Sequence, residues 1–250
     1  MGHSLPAETK ESVLKEMIRN KVWTRLTNAG VSRPPLPIHG RIPNFVGADY
    51  AAERLCQLPI VNNCQTVFCG PDSPQIPVRY RLLCEGKNVI MASPQLRTGF
   101  LILNPQEIPT NQLTYAATIR GAFKIGRQVK DLTEKIDAKI FGSVAVDSFG
   151  GRVGKGGGYS DLESAILAEL GLVTPQTPII TTVHDLQIVT EKIVMNPHDT
   201  PVDVIVTPTR QIRTHTAYPR PQNIKWSYVS EKRRVEIAWP SKLSPPQDPS

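Results

Sequence analysis

The chain has 250 residues, 40% of them hydrophobic and 20% charged, which describes a globular protein able to bury a core of α/β size rather than a membrane-spanning one. A formal net charge of +7 and a pI near 9.3 favour an anionic partner: nucleotide, polyglutamate or nucleic acid. The first ten residues carry no apolar signal core, Met1-Gly2 is only a weak lipidation cue, and Cys56, Cys64, Cys69 and Cys84 lack metal-ligand spacing. The expectation is therefore a cytoplasmic protein with reduced thiols and no membrane association.

Residues 1–9 read as a flexible lead and 10–240 as one domain. In the first predicted helix, residues 10–29, Val13, Met17, Ile18, Val22 and Leu26 fall on one stripe and Gly30 closes it. Lys15 and Arg19 lie four apart beside that stripe, as solvated helix charges would. Residues 33–45, with Pro34, Pro35, Pro37 and Pro43, form an extended connector. A second helix is predicted over 50–58 and a strand over 64–69. A helix over 78–84 leads into a strand over 88–92. Residues 93–118 look irregular, and Arg97, in a loop directly after a strand, is a candidate anion contact.

An apolar run over 140–146 predicts a buried strand, and it leads into the densest glycine stretch of the chain. Ser148-Phe-Gly-Gly-Arg-Val-Gly-Lys-Gly-Gly-Gly-Tyr-Ser-Asp161 surrounds Arg152 and Lys155 with six glycines. A helical pattern follows through Leu162, Ala165, Ile166 and Leu170. Strand, glycine loop, helix is an arrangement that cradles phosphate, because backbone N–H groups approach the anion and the helix dipole favours it. No Gly-Lys is followed by Ser or Thr, so the loop is not of the Walker type.

Further strands are predicted over 178–183 and 202–206, and the alternation makes a mostly parallel, doubly wound α/β sheet the expected fold. Asp161 either caps its helix or holds a cation. Asp203, read as lying within an apolar strand, needs a metal or a basic side chain as partner. His184-Asp185 is a polar pair at a strand end, but no Gly-x-Ser-x-Gly elbow supports a hydrolase, and the histidines lack metal spacing. Beyond Thr209, cations including Arg233 and Arg234 interleave with Trp226, Tyr228 and Trp239. This reads as an edge strand over 224–229 or as an RNA surface. Residues 241–250 read as a disordered tail.

Lys15-Glu-Met-Ile-Arg19, Gly150–Asp161 and Asp199-Thr-Pro-Val-Asp203 together resemble the 5-formyltetrahydrofolate cyclo-ligase family over roughly residues 10–210. The resemblance implies a three-layer α/β/α fold like that of the NagB, RpiA and CoA-transferase proteins. It also implies ATP and Mg2+ as cofactors, a reduced folate or related small molecule as substrate, and a monomer or homodimer. By motif, Lys15 and Arg19 would hold ATP phosphates. Arg152 and Lys155 would be the catalytic cations, and Gly154, Gly156, Gly157, Gly158 and Tyr159 would line the nucleotide. Asp161 and Asp203 would hold Mg2+.

Two departures stand out. The family's loop usually reads Gly-x-Gly-Lys-Gly-Tyr-Tyr-Asp, and here its lysine is Gly157 and its second tyrosine Ser160, with Lys155 the nearby substitute. The family's acidic residue after its second strand has only Asp72 as a stand-in. A diverged paralogue that binds nucleotide or RNA, or that acts on another small metabolite in cofactor salvage, stays open beside the cyclo-ligase reading.

Overall fold

A computed structural model describes residues 10–246. The expectations for residues 1–9 and 247–250 lie outside the described residues. The strands are β1 (Ser32–Arg33), β2 (Asn44–Phe45), β3 (Thr66–Cys69), β4 (Asn88–Ala92), β5 (Phe100–Leu103), β6 (Arg127–Val129), β7 (Ala138–Phe141) and β8 (Ala145–Asp147). They continue with β9 (Arg152–Val153), β10 (Ile179–Thr182), β11 (Ile188–Val189), β12 (Val204–Val206) and β13 (Gln211–Arg213). The helices are α1 (Lys10–Asn28), α2 (Ala48–Cys56), α3 (Pro59–Asn62), α4 (Ile76–Cys84), α5 (Leu113–Ala116), α6 (Ile119–Ile125), α7 (Tyr159–Glu169) and α8 (Glu231–Glu236).

Eight strands form the main sheet in the order β13-β12-β10-β7-β3-β4-β5-β6. The five central strands, β12 to β4, run parallel, and β13, β5 and β6 add antiparallel edges. Central strands such as Thr66–Cys69 and Ile179–Thr182 are buried at every residue, as strands covered on both faces must be. One face packs α2 and α4 through Leu55, Val78 and Leu82. The other packs α7 and the C-terminal segment through Ile166, Leu167 and Trp239. These are the three expected layers.

Five local expectations change, the first being that residues 93–118, expected to be irregular, contain β5 and α5. The run over 140–146 is two strands in two sheets, because the chain leaves the main sheet at Gly142 and β8 pairs with β9 and β11. A Cβ at Gly142 would lie 2.7 Å from Ile42 and 2.9 Å from Gln75, so the crossing loops leave room for glycine alone. On α1, Val22, Trp23 and Leu26 are buried but Val13 and Met17 are exposed, and in the first half it is Lys15 that turns inward.

The edge strand expected over 224–229 is a 3-10 turn at Trp226–Tyr228 followed by α8. Trp226 and Trp239 pack on one another with ring centroids 4.9 Å apart, and β13 takes the sheet edge instead. Ordered packing also runs past residue 240, since Ser241 bonds to Asp131 and Leu243 joins the core. Among the described residues no helix is long and apolar enough to cross a membrane. The four cysteines are free thiols, and burial pushes Cys56 up to about 12 and Cys64 and Cys69 up to about 11.

Candidate functional site

The carboxyl ends of the parallel strands open into a cleft of about 590 Å³. Its walls are Asp72 and Ser73 from the loop after β3, Ser93 and Gln95 from the loop after β4, and Arg41 from the proline-rich connector. Its remaining wall is the glycine loop with the first turns of α7: Arg152, Gly154, Lys155, Gly157, Gly158, Tyr159, Asp161 and Glu163. Gly156 (φ 96°) and Gly158 (φ 63°) adopt left-handed backbone, which lets the loop double back and start α7 directly.

One ion pair spans the cleft, and a second lies within the glycine-loop wall. Lys155 Nζ reaches across to Asp72 Oδ1 at 2.8 Å, with the lysine side chain 44% exposed. Arg152 is buried, and its Nη2 donates to Asp161 Oδ1 at 2.6 Å. Its other nitrogens donate to the Gly142 and Thr200 carbonyls, at 3.1 and 3.2 Å. Asp161 also accepts the Thr200 N–H at 2.9 Å, so it ties the loop to the segment before β12 instead of capping its own helix. Asp72 is presented by the turn that a fully buried arginine, Arg79, organises through the Gly70, Asp72 and Ala117 carbonyls.

Arg19 contacts the loop and Lys15 the segment at 199, and neither reaches the cleft lining. Arg19 Nε donates to the Gly154 carbonyl at 2.7 Å and lies against Gly156, while Lys15 pairs with Asp199 in a buried contact. A nucleotide contact by these two is thus not preformed. Asp203 is corrected outright. It sits at the foot of β12, at the amino end of the parallel strands, accepts the Ile179 N–H at 2.7 Å and pairs with Arg220. A basic side chain and a strand N–H satisfy it, so it does not join Asp161.

No group of three or more His, Cys, Asp or Glu side chains gathers for a metal among the described residues. Asp161 and Asp72 both line the cleft, and Mg2+, which keeps several waters and takes one or two carboxylates plus phosphate oxygens, needs no closed cage. Arg97 lies outside the cleft lining and pairs with Glu236. His184 caps a 3-10 turn and Asp185 pairs with Arg210, so that polar pair is local structure.

Sequence reasoning read Arg233 only as part of a basic surface, and missed Glu163. Arg233 of α8 donates to the Gly157 carbonyl at 2.6 Å and lies 4.9 Å over the Tyr159 ring, a cation fastened to the glycine loop from far along the chain. Glu163, on the inward side of α7, is 4% exposed. Burial first, and the Asp72 charge next, raise its carboxyl to about 8, with Lys155 pulling the other way. The one sequence signal for it was an acid set between Leu162 and Ala165 on an otherwise apolar helix face.

Fold and cleft together define an α/β protein whose open site lies at the carboxyl ends of a mostly parallel sheet, framed by a glycine loop and a helix N-terminus. A family model described as the 5-formyltetrahydrofolate cyclo-ligase family matches residues 11–208, and the chain belongs to that family. A methenyltetrahydrofolate synthase domain-containing protein of Mus musculus is 39% identical over 234 residues, which is 92% of this chain and 63% of that protein. Its Homo sapiens counterpart is 37% identical over 230 residues, 90% of this chain and 60% of that protein. The chain therefore spans about three fifths of the length of these curated relatives. The NMR structure of Aquifex aeolicus 5,10-methenyltetrahydrofolate synthetase shares the fold, with a TM-score of 0.51 and 21% identity over 82% of this chain and 95% of that one. Arg233 and α8 lie beyond the residues that the family model matches.

Proposed function

We propose that the cleft converts 5-formyltetrahydrofolate to 5,10-methenyltetrahydrofolate at the expense of ATP, with Mg2+. The observation that carries this reading is family membership over residues 11–208 combined with a cleft walled by the glycine loop, Lys155 and Asp161. In such a reaction the terminal phosphoryl group of ATP passes to the formyl oxygen and ADP leaves. The N10 nitrogen then bonds to the formyl carbon and gives up its proton, and phosphate departs with the oxygen.

The chain's part is positional and electrostatic, as phosphoryl transfer requires. Residues 154–158 and the amino end of α7 offer backbone donors to the phosphates. Lys155, half in solvent, neutralises charge on the transferring phosphoryl group once it leaves Asp72. Arg152 stays in place and orients Asp161. Asp161 and the released Asp72 would hold Mg2+, which would neutralise charge on the phosphate oxygens. Lys15 and Arg19 steady the loop and the 196–199 segment from behind. Tyr159, clamped under Arg233, forms a wall for the ligand.

The test is the absorbance of the methenyl product. Purified protein with 5-formyltetrahydrofolate forms it only when ATP and Mg2+ are both present. Absence of product at high protein concentration, beside a working control enzyme, overturns the reading.

A further inference from the structure

A second cavity, of about 100 Å³, opens beside the glycine loop and shares Gly158 and Asp161 with the main cleft. The C-terminal segment builds its opposite side, through Lys225, Tyr228 and Arg233. These three lie beyond residue 208, where the family match ends.

The cations already described are each paired: Lys15, Arg19, Arg152 and Lys155 hold Asp199, Glu16, Asp161 and Asp72. The two cations of the side cavity are not. Among the described residues Arg233 has no carboxylate partner, and of its N–H donors only Nη2 makes a hydrogen bond, to the Gly157 carbonyl. Lys225 has no side-chain partner among them at all. Arg233 is also poorly placed for a cation standing alone. Its Nη1 lies 3.4 Å from where a Cβ on Gly158 would be, and Gly158 is the N-cap of the 11-residue helix α7. The half-buried guanidinium therefore sits against the positive end of a helix dipole, with the Tyr159 ring offsetting only part of the charge. An anion between them relieves both. His198, which lines the same cavity, adds a ring nitrogen, Nδ1, shut off from solvent without a partner.

We propose that this side cavity is a phosphate subsite, in which Arg233 and Lys225 take oxygens of the nucleotide's phosphate chain. The guanidinium meets phosphate oxygens with a planar fork of donors, and the ammonium adds a point charge. A phosphate chain, with several charges, suits two cations and a helix end better than one carboxylate does. The subsite rests on the nucleotide reading of the cleft and extends it. Phosphates lying on residues 154–158 come within reach of both cations at Gly158, where cleft and side cavity share a wall. The C-terminal segment thereby becomes part of the binding machinery.

Calorimetry at low and at high salt, with MgATP, inorganic tripolyphosphate and 5-formyltetrahydrofolate as probes, tests the subsite. Lys225→Met is the primary variant, because the side chain that it alters has no partner in the protein and its melting temperature stays at wild type. It is expected to bind MgATP and tripolyphosphate about fivefold more weakly at low salt, with the difference shrinking at high salt and the folate unaffected. Arg233→Met is expected to lose about tenfold or more for both phosphate probes, and Arg233→Lys to recover part of that loss.

If MgATP binds wild type and Lys225→Met alike at both salt concentrations, the subsite is overturned and the nucleotide reading stands. That holds whatever the Arg233 variants show, since they also release the glycine loop. If tripolyphosphate binds and weakens in Lys225→Met while MgATP does not bind, the subsite stands and the nucleotide reading falls. If only the folate weakens in Lys225→Met, the cavity takes a carboxylate and the proposal is overturned. Binding of neither phosphate probe overturns both.

Discussion

Glu163 keeps a proton to about pH 8 in the folded protein, while the unfolded chain releases it near the ordinary value of 4.5. Between those values the unfolded state binds fewer protons, so stability falls as pH rises and levels off above about 8. Glu163→Gln removes that dependence. Its melting temperature is expected to exceed wild type at pH 8 by the equivalent of up to roughly 4 kcal/mol, with the gap closing toward pH 4.5. Lys139 has the opposite sign. Burial, then the Arg220 charge, push it down to about 7 from 10.5, so its contribution to stability recovers as pH rises through that window.

Other single residues make equally direct predictions. Arg79→Met leaves the Gly70, Ala117 and Asp72 carbonyls without their donor, and chemical denaturation is expected to show a loss of about 3 kcal/mol. Lys155→Met is expected to lower ATP-dependent turnover on the order of a thousandfold while costing the melting temperature little, since the lysine end of its ion pair is half in solvent. At this scale the sequence was a partial guide. Arg152, Lys155 and Asp161 were legible because they sit inside one loop. Asp203 was not, because its partners, Arg220 and the Ile179 N–H, come from segments whose proximity only the fold creates.

Among the elements, the glycine loop is held from two sides, by Arg19 of α1 at Gly154 and by Arg233 of α8 at Gly157. Arg233→Ala removes one hydrogen bond and one cation–π contact, together worth about 1–2 kcal/mol. Amide exchange is expected to accelerate roughly tenfold over residues 155–159 while Ile166 and Leu167 stay protected. Uniform acceleration through α7 would place Arg233 in the core's stability and not in the loop's.

Long periodic elements such as α1, and the short buried strands, were readable from hydrophobic pattern. The break at Gly142 and the turn at Trp226 were not. The first lies where Ile42 and Gln75 close over the strand end, and the second where Trp226 packs on Trp239. Neither contact is local in sequence.

On the scale of the molecule, the sheet delivers the loops after β3 and β4 to one edge, and the cleft forms where they meet the glycine loop. Fold class was legible from the alternation of strands and helices, and family from the glycine loop. The composition of the cleft depended on Asp72 crossing to Lys155, which spacing alone does not reveal. The central claim is that one cleft holds both the nucleotide and the folate. A crystal structure with 5-formyltetrahydrofolate and the Mg2+ complex of a non-hydrolysable ATP analogue tests it most directly. The account predicts the phosphates against residues 154–158 with Lys155 turned away from Asp72, Mg2+ on Asp161, and the folate in the same cleft. Nucleotide bound elsewhere, or a cleft that stays closed by the Lys155–Asp72 pair with both ligands at saturation, would contradict it.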